Sequence, residues 1–328
     1  MNGEGTTVAI ACQGGGSHTA FTAGVLRELL PAVGRSSSEL VGLSGTSGGA
    51  FSAVAGWYGR QSPGTTAPAV LSALWDDIAA AGPVDLTVNA ALVWATTLEG
   101  LGVPVPETSP YQQVADDWSQ RWLRRTLESH VDFEQLRRLA GDGSPTLVVG
   151  AVDITAGEFT TFVDGDVTAD AVLASAAVPE LFEAVEIDGA YHWDGLFSQN
   201  PPIRDFFDAS VERKPDELWV VQINPQARDR EPRSLRAVVD RRNELAGNLS
   251  LNQELRTVEL INEFVETGRL GGEYKQTTVR RIELDRELPY ASKLDRRPSF
   301  VDDLLAAGEA AAREFLAGLD GYTSTSTG

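Results

Sequence analysis

The chain has 328 residues, 42% hydrophobic and 23% charged, enough for one sizeable hydrophobic core. A single cysteine, Cys12, excludes an intrachain disulfide, and three scattered histidines (His18, His130, His192) leave no ligand cage, so no metal site is expected. The net charge of −20, with only three lysines (Lys214, Lys275, Lys293) and no basic cluster, argues against nucleic acid as a partner.

No run of eighteen apolar residues occurs, so no transmembrane helix is expected. Met1–Thr7 lacks a basic region followed by an apolar one, so no secretory leader is expected and a cytoplasmic location is. The acid excess fits either a salt-adapted surface or an acidic protein in which arginine has replaced lysine.

In chain order, Val8–Cys12 is a short apolar strand ending in glycines. A helical pattern follows through Phe21, Val25, Leu26 and Leu29. Leu40–Leu43 is a second strand, and after Gly45–Gly49 an Ala-rich helix runs to about Tyr58. Strand, glycine-rich turn and helix thus occur twice, the start of a parallel α/β sheet. Residues 68–130 read as inserted helices, with an apolar stretch Leu86–Leu101 and a Pro-broken Val103–Pro110. Leu86–Leu101 is expected to be ordinary core of that insert; the other reading is a cover for an acyl channel. Thr146–Ile154 and Phe159–Val163 are strands, and Ala184–Ile187 and Tyr191–Trp193 flank an Asp188-Gly189 hairpin turn. Glu217–Asn224 and Thr277–Leu284 are later strands. Ser234–Leu270 reads as one long or broken amphipathic helix and Phe300–Leu319 as a closing helix, with Thr323–Gly328 a disordered tail.

Chemistry begins at Gly45-Thr46-Ser47-Gly48-Gly49, a serine between glycines where a strand turns into a helix. This is the nucleophile-elbow pattern: small neighbours leave Oγ exposed, and the helix N-terminus favours a developing negative charge. An elbow serine needs a base. His192 is the last histidine, with 136 residues after it, so the order Ser, acid, late His is missing. A carboxylate acting alone is the better candidate, and Asp194-Gly195, at the end of the hairpin strand, supplies one. Gly14-Gly15-Gly16-Ser17-His18 lies between a strand and a helix. Thr19 breaks a dinucleotide fingerprint, whereas an oxyanion hole needs only glycine N–H groups aimed at one point. Its candidate donors are Gly14, Gly15, Gly16 and the Gly48 N–H that follows the nucleophile.

Taken together, the Gly14–Thr19 loop, the Gly45–Gly49 elbow and Asp194-Gly195 resemble, in order and spacing, the patatin-like phospholipases. The likeness includes Ala174-Ser175-Ala176-Ala177-Val178-Pro179, Phe182 and Asn200-Pro201-Pro202, and covers about residues 7–225. Arg241-Arg242-Asn243-Glu244 through Glu254-Leu255 resembles an extension of some bacterial members. The resemblance implies a three-layer α/β fold, its mostly parallel central sheet flanked by helices on both faces. Residues 1–225 would form the hydrolase core, 226–322 a helical extension packed on it, and 323–328 the tail.

It also implies a Ser47 nucleophile with Asp194 as general base, acting without a cofactor on a lipid acyl ester, with transient contact to a membrane surface. The chain departs from the family pattern at three places: His18 stands for an arginine, Thr19 for the last glycine of the loop, and Leu196 for a small residue after Asp-Gly. A neutral histidine lacks the guanidinium fork, so neutral esters or lysolipids are expected to be cleaved better than diacyl phospholipids. The alternative function is a non-hydrolytic, lipid- or partner-binding relative whose elbow is a relic.

Overall fold

The computed structural model describes residues 5–35, 38–100, 103, 109–112, 114–179, 181–208, 211, 213–228, 231–233 and 235–325. The repeated strand–turn–helix reading becomes β1 (Thr7–Cys12), α1 (Ala20–Arg35), β2 (Glu39–Gly45) and α2 (Gly48–Gln61). Helices α3 (Ala67–Ile78), α4 (Gly82–Gly100), α5 (Val114–His130) and α6 (Phe133–Leu139) form the insert. Then come β3 (Thr146–Asp153), β4 (Glu158–Val163), α7 (Ala169–Ser175), β5 (Val185–Ile187), β6 (Ala190–Asp194) and β7 (Glu217–Gln222). The chain closes with α8 (Leu235–Glu266), β8 (Thr278–Glu283) and α9 (Pro298–Thr325).

Among the described residues the eight strands form one sheet in the order β5-β6-β3-β2-β1-β7-β8, with β4 also on β3. The five strands β3-β2-β1-β7-β8 run parallel, and β4, β5 and β6 add antiparallel pairings at one end. Alternation along β1 explains the layers. Val8, Ile10 and Cys12 pack toward α1, α2, α3 and α9, whereas Ala9 and Ala11 pack toward Leu251, Leu255 and Val258 of α8. Both faces are therefore covered by helices, as a buried parallel sheet requires. Asp188 and Gly189 take φ of 52° and 83°, the left-handed pair that a two-residue hairpin turn demands.

Three expectations change. Residues 226–322 are more than a helical extension packed on the core: the strand expected at Thr277–Leu284 joins the core sheet as β8 beside β7, and residues 290–296 reach the cavity described below. Helix α9 continues to Thr325, so the segment expected to be a tail is helical as far as the description goes, and 326–328 lie outside it. Third, α4 is not core: of its described side chains only Asn89 is buried. An all-round apolar pattern does not tell a buried helix from one awaiting cover, so the sequence left its partner open. Residues 104–108 of the Pro-broken stretch, and Leu101 at the end of the apolar one, lie outside the described residues.

Candidate active site

Ser47 sits between β2 and α2 with φ 57° and ψ −132°, a conformation that strains a non-glycine residue by about 1–3 kcal/mol. The strain persists because the turn has no room to relax: a Cβ on Gly45 would strike the Gly49 carbonyl, and one on Gly49 the Cys12 carbonyl. The Ser47 N–H donates to Ser175 Oγ at 2.9 Å, and that hydroxyl donates onward to the Gly150 carbonyl on β3 at 2.6 Å.

The strand register brings Asp194 to the same place. One edge of β3 is taken by β4 over Val148–Asp153. On the other edge β2 pairs with Thr146–Val149, and once β2 has turned into the elbow, β6 pairs with Ala151–Asp153. Because β6 runs antiparallel, its C-terminal end points at the C-terminal end of β2. Gly45 lies opposite Val149 and Asp194 opposite Ala151, two positions apart or about 7 Å along the strand. Asp194 Oδ1 accepts the Leu196 N–H at 2.8 Å, and its own N–H donates to the Ala177 carbonyl at 3.0 Å. Gly195 is held against the Gly150 carbonyl, where a Cβ would come within 2.6 Å.

The glycine loop closes the third side. A Cβ on Gly14 would lie 2.7 Å from Ser47 Cβ, so this loop lies directly against the elbow. The Gly14 N–H donates to Asn200 Oδ1 at 2.7 Å, which removes Gly14 from the set of free donors expected from sequence. The N–H groups of Gly15, Gly16 and Gly48 donate to no acceptor among the described residues. Thr19 proves compatible with the loop, its hydroxyl donating to the Gly16 carbonyl at 2.5 Å. Behind the loop, Gln13 Oε1 accepts the Ile223 and Asn224 N–H groups, and Gln13 Nε2 donates to Asn248 Oδ1 of α8. Asn224 Nδ2 donates to the Gly14 carbonyl at 3.3 Å, while Lys293 Nζ donates to Asn224 Oδ1 at 2.9 Å.

Ser47, Asp194, Leu196 and the glycines at 14–16 and 48 all line one cavity of about 470 Å³. Its apolar wall includes Phe51, Trp75, Ile78, Leu92, Trp122 and Phe182. Its cations are Lys293 and Arg296, the latter paired with Asp85 at 2.5 Å and lying over the Trp122 ring. No group of three or more His, Cys, Asp or Glu side chains among the described residues is gathered to hold a metal ion.

Residues 10–207 match the family model described as patatin-like phospholipase, more than half of the chain. The chain belongs to the patatin-like phospholipase family. No curated protein matches it in sequence. Among solved structures, VipD from Legionella pneumophila is 14% identical with a TM-score of 0.39, covering 93% of this chain and 67% of that one. The ExoU–SpcU complex from the type III secretion system of Pseudomonas aeruginosa is 16% identical with a TM-score of 0.35, covering 94% and 52%. A second structure of the type III effector ExoU is 15% identical with a TM-score of 0.30, covering 93% and 54%. The chain spans about half the length of the two ExoU chains. Membership in the patatin-like phospholipase family supports lipid acyl-ester hydrolysis in general.

In this member of the patatin-like phospholipase family the two histidines near the motifs lie off the cavity wall. His18 is buried, with Nε2 bonded to Ser292 Oγ at 2.8 Å and its ring in a T-shaped contact with Phe300. Burial, and then the nearby Lys293 charge, push its pKa down to about 3. The expectation that His18 sets a preference for neutral esters therefore loses its basis, since the side chain does not line the cavity. His192 is buried against the Phe162 ring at 5.7 Å. Sequence reading missed Ser175 as a brace, although it lay in a quoted motif. It also missed Asn224, Asn248 and Lys293, which carry no local signal.

Proposed function

We propose that this chain hydrolyses lipid acyl esters in two acyl-transfer steps through Ser47, with Asp194 as the general base. The observation that carries this reading is the convergence of the two residues on one cavity from the facing ends of β2 and β6. Asp194 takes the Oγ proton as Ser47 forms a bond to the ester carbonyl carbon, and the carbonyl oxygen becomes an oxyanion. The free N–H groups of Gly15, Gly16 and Gly48 are the donors available to that oxyanion; removing one such donor typically costs about 3 kcal/mol. The tetrahedral adduct collapses, the ester C–O bond breaks, and the leaving alcohol takes the proton from Asp194. Asp194 then removes a proton from water as the water attacks acyl-Ser47, and returns it to Oγ as the free acid leaves.

The acyl chain fits the apolar wall of Phe51, Trp75, Ile78 and Leu92. An anionic headgroup would meet Lys293 and Arg296, not His18. A fluorophosphonate probe tests the nucleophile: it is expected to label the wild type on the peptide containing Ser47 and to leave Ser47→Ala unlabelled. Equal labelling of Ser47→Ala would refute the assignment. A folded wild type that neither labels nor turns over p-nitrophenyl butyrate would favour a non-hydrolytic, lipid-binding role.

A further inference from the structure

Helix α4 contradicts the usual relation between apolarity and burial. Its residues Gly82–Gly100 carry two charges, Asp85 and Glu99, and no basic group. Val84 is 79% exposed, Trp94 65% and Val88 59%, and Leu86, Leu92 and Leu98 are exposed as well. A helix apolar on all sides belongs in a protein core or in contact with lipid, and exposed apolar surface of this kind marks an interaction site. Polar contacts tie α4 to the chain around Arg296. Asn89 Nδ2 donates to the Leu294 carbonyl at 2.7 Å, Asn89 Oδ1 accepts the Arg296 N–H at 3.0 Å, and Asp85 pairs with Arg296.

We propose that the exposed face of α4 docks the protein onto a zwitterionic or neutral lipid surface, from which an acyl ester passes directly into the catalytic cavity. Three observations select this occupant. Val88 and Leu92 are exposed and also line the cavity that holds Ser47, so the apolar patch is continuous with the site. The helix is shaped to lie in a surface, not to cross it. Helices α3 and α4 together are apolar enough to span a membrane, but they bend by 77°, and α3 is fixed in the core by Leu71, Leu74 and Trp75. A helix so held can insert only shallowly, as interfacial helices do.

The third observation is charge. Anionic lipid attracts proteins through juxtamembrane lysine and arginine, which α4 lacks, and the chain as a whole carries −20. The same charge opposes a second copy of this chain on the patch, and such a copy would also cover Val88 and Leu92 at the cavity. Neighbouring α8 adds exposed Val238, Leu245 and Leu249, which fall within about 40° of one another around its axis.

The proposal concerns the partner of the catalytic site and so rests on the hydrolase reading, but its test does not need turnover. Co-sedimentation of Ser47→Ala protein is measured with phosphatidylcholine vesicles and with vesicles of phosphatidylcholine plus phosphatidylserine. Binding to the first is expected, with weaker binding to the second. Adding Val84→Ser, Trp94→Ser and Leu98→Ser, none of which lines the cavity, should lower phosphatidylcholine binding at least tenfold while the melting temperature holds. In the Ser47 background the same three changes should leave p-nitrophenyl acetate turnover unchanged and slow hydrolysis of a vesicle-borne ester. No binding to phosphatidylcholine vesicles, tighter binding to the anionic ones, or equal binding by the triple variant would overturn the proposal. So would a dimer, seen by light scattering, that the triple variant dissociates.

Discussion

Ser47 and Asp194 stand at the facing ends of two strands that share one edge of β3, and Gly150 is the β3 residue left between them. Gly45 pairs opposite Val149 and Asp194 opposite Ala151. Gly150 is therefore where the elbow, the aspartate loop and the Gln199–Pro202 turn meet. A Cβ there would lie 3.1 Å from the Gln199 carbonyl and 3.2 Å from both Pro202 Cδ and Thr46 Oγ1. Gly150→Val should consequently push the two ends apart. The expected result is at least a tenfold loss of kcat on a soluble ester, with a stability loss of about 1–3 kcal/mol in urea unfolding. Unchanged kcat would mean that the site tolerates a wider gap.

Ser175 ties the same region from the side, accepting from the Ser47 N–H and donating to the Gly150 carbonyl. Ser175→Ala leaves a buried N–H at the strained elbow without its partner. We expect a loss of about 1–3 kcal/mol in urea unfolding. Because the elbow is also loosened, kcat should fall while KM changes little. Full retention of both quantities would show that the strained turn is held by β2 and α2 alone.

His18 makes a pH signature of stability without making one of activity. Its pKa is about 3 in the folded protein against an ordinary 6.5, so between these values the unfolded chain binds a proton that the folded chain refuses. Its contribution to stability is complete above pH 6.5 and is lost progressively as pH falls toward 3. His18→Gln should flatten the fall in urea stability between about pH 6.5 and pH 4.5, since glutamine has no such proton to gain. His18→Arg should change kcat/KM for a phospholipid and a simple ester alike. A shift in their ratio would mean that the side chain reaches substrate after all.

How far the site was legible follows from which interactions are local. The elbow at Ser47 is written in glycine spacing over five residues, and the Asp188-Gly189 hairpin in its two turn residues. Asp194 was legible as a candidate base once His192 had been weighed by its position in the chain. The end-to-end meeting of β2 and β6 was not legible, because it depends on a register between strands about 150 residues apart. The direction of His18 was also hidden: the short 3-10 turn Gly16–Thr19 carries its ring toward Ser292, 274 residues later in the chain. Gly14 looked equivalent to Gly15 and Gly16 until Asn200 was found to accept its N–H.

The charge of −20 sets a salt response. The Debye length falls from about 10 Å at 0.1 M to about 3 Å at 1 M salt, so repulsion among the excess carboxylates is largely screened at the higher concentration. The melting temperature should rise across that range of KCl, as a salt-adapted surface requires. A flat or falling curve would assign the acidity to composition alone.

The most direct test of the Ser47–Asp194 assignment compares two neighbours on β6. Asp194 lines the cavity, whereas His192, two residues earlier, is buried against Phe162. Hydrolysis of p-nitrophenyl butyrate is measured for Asp194→Asn and His192→Ala, each with its melting temperature. The assignment predicts a loss of roughly 10²–10⁴-fold for Asp194→Asn, the range of a general base, and near-normal turnover for folded His192→Ala. Near-normal turnover by Asp194→Asn, or an equal loss in folded His192→Ala, would contradict it.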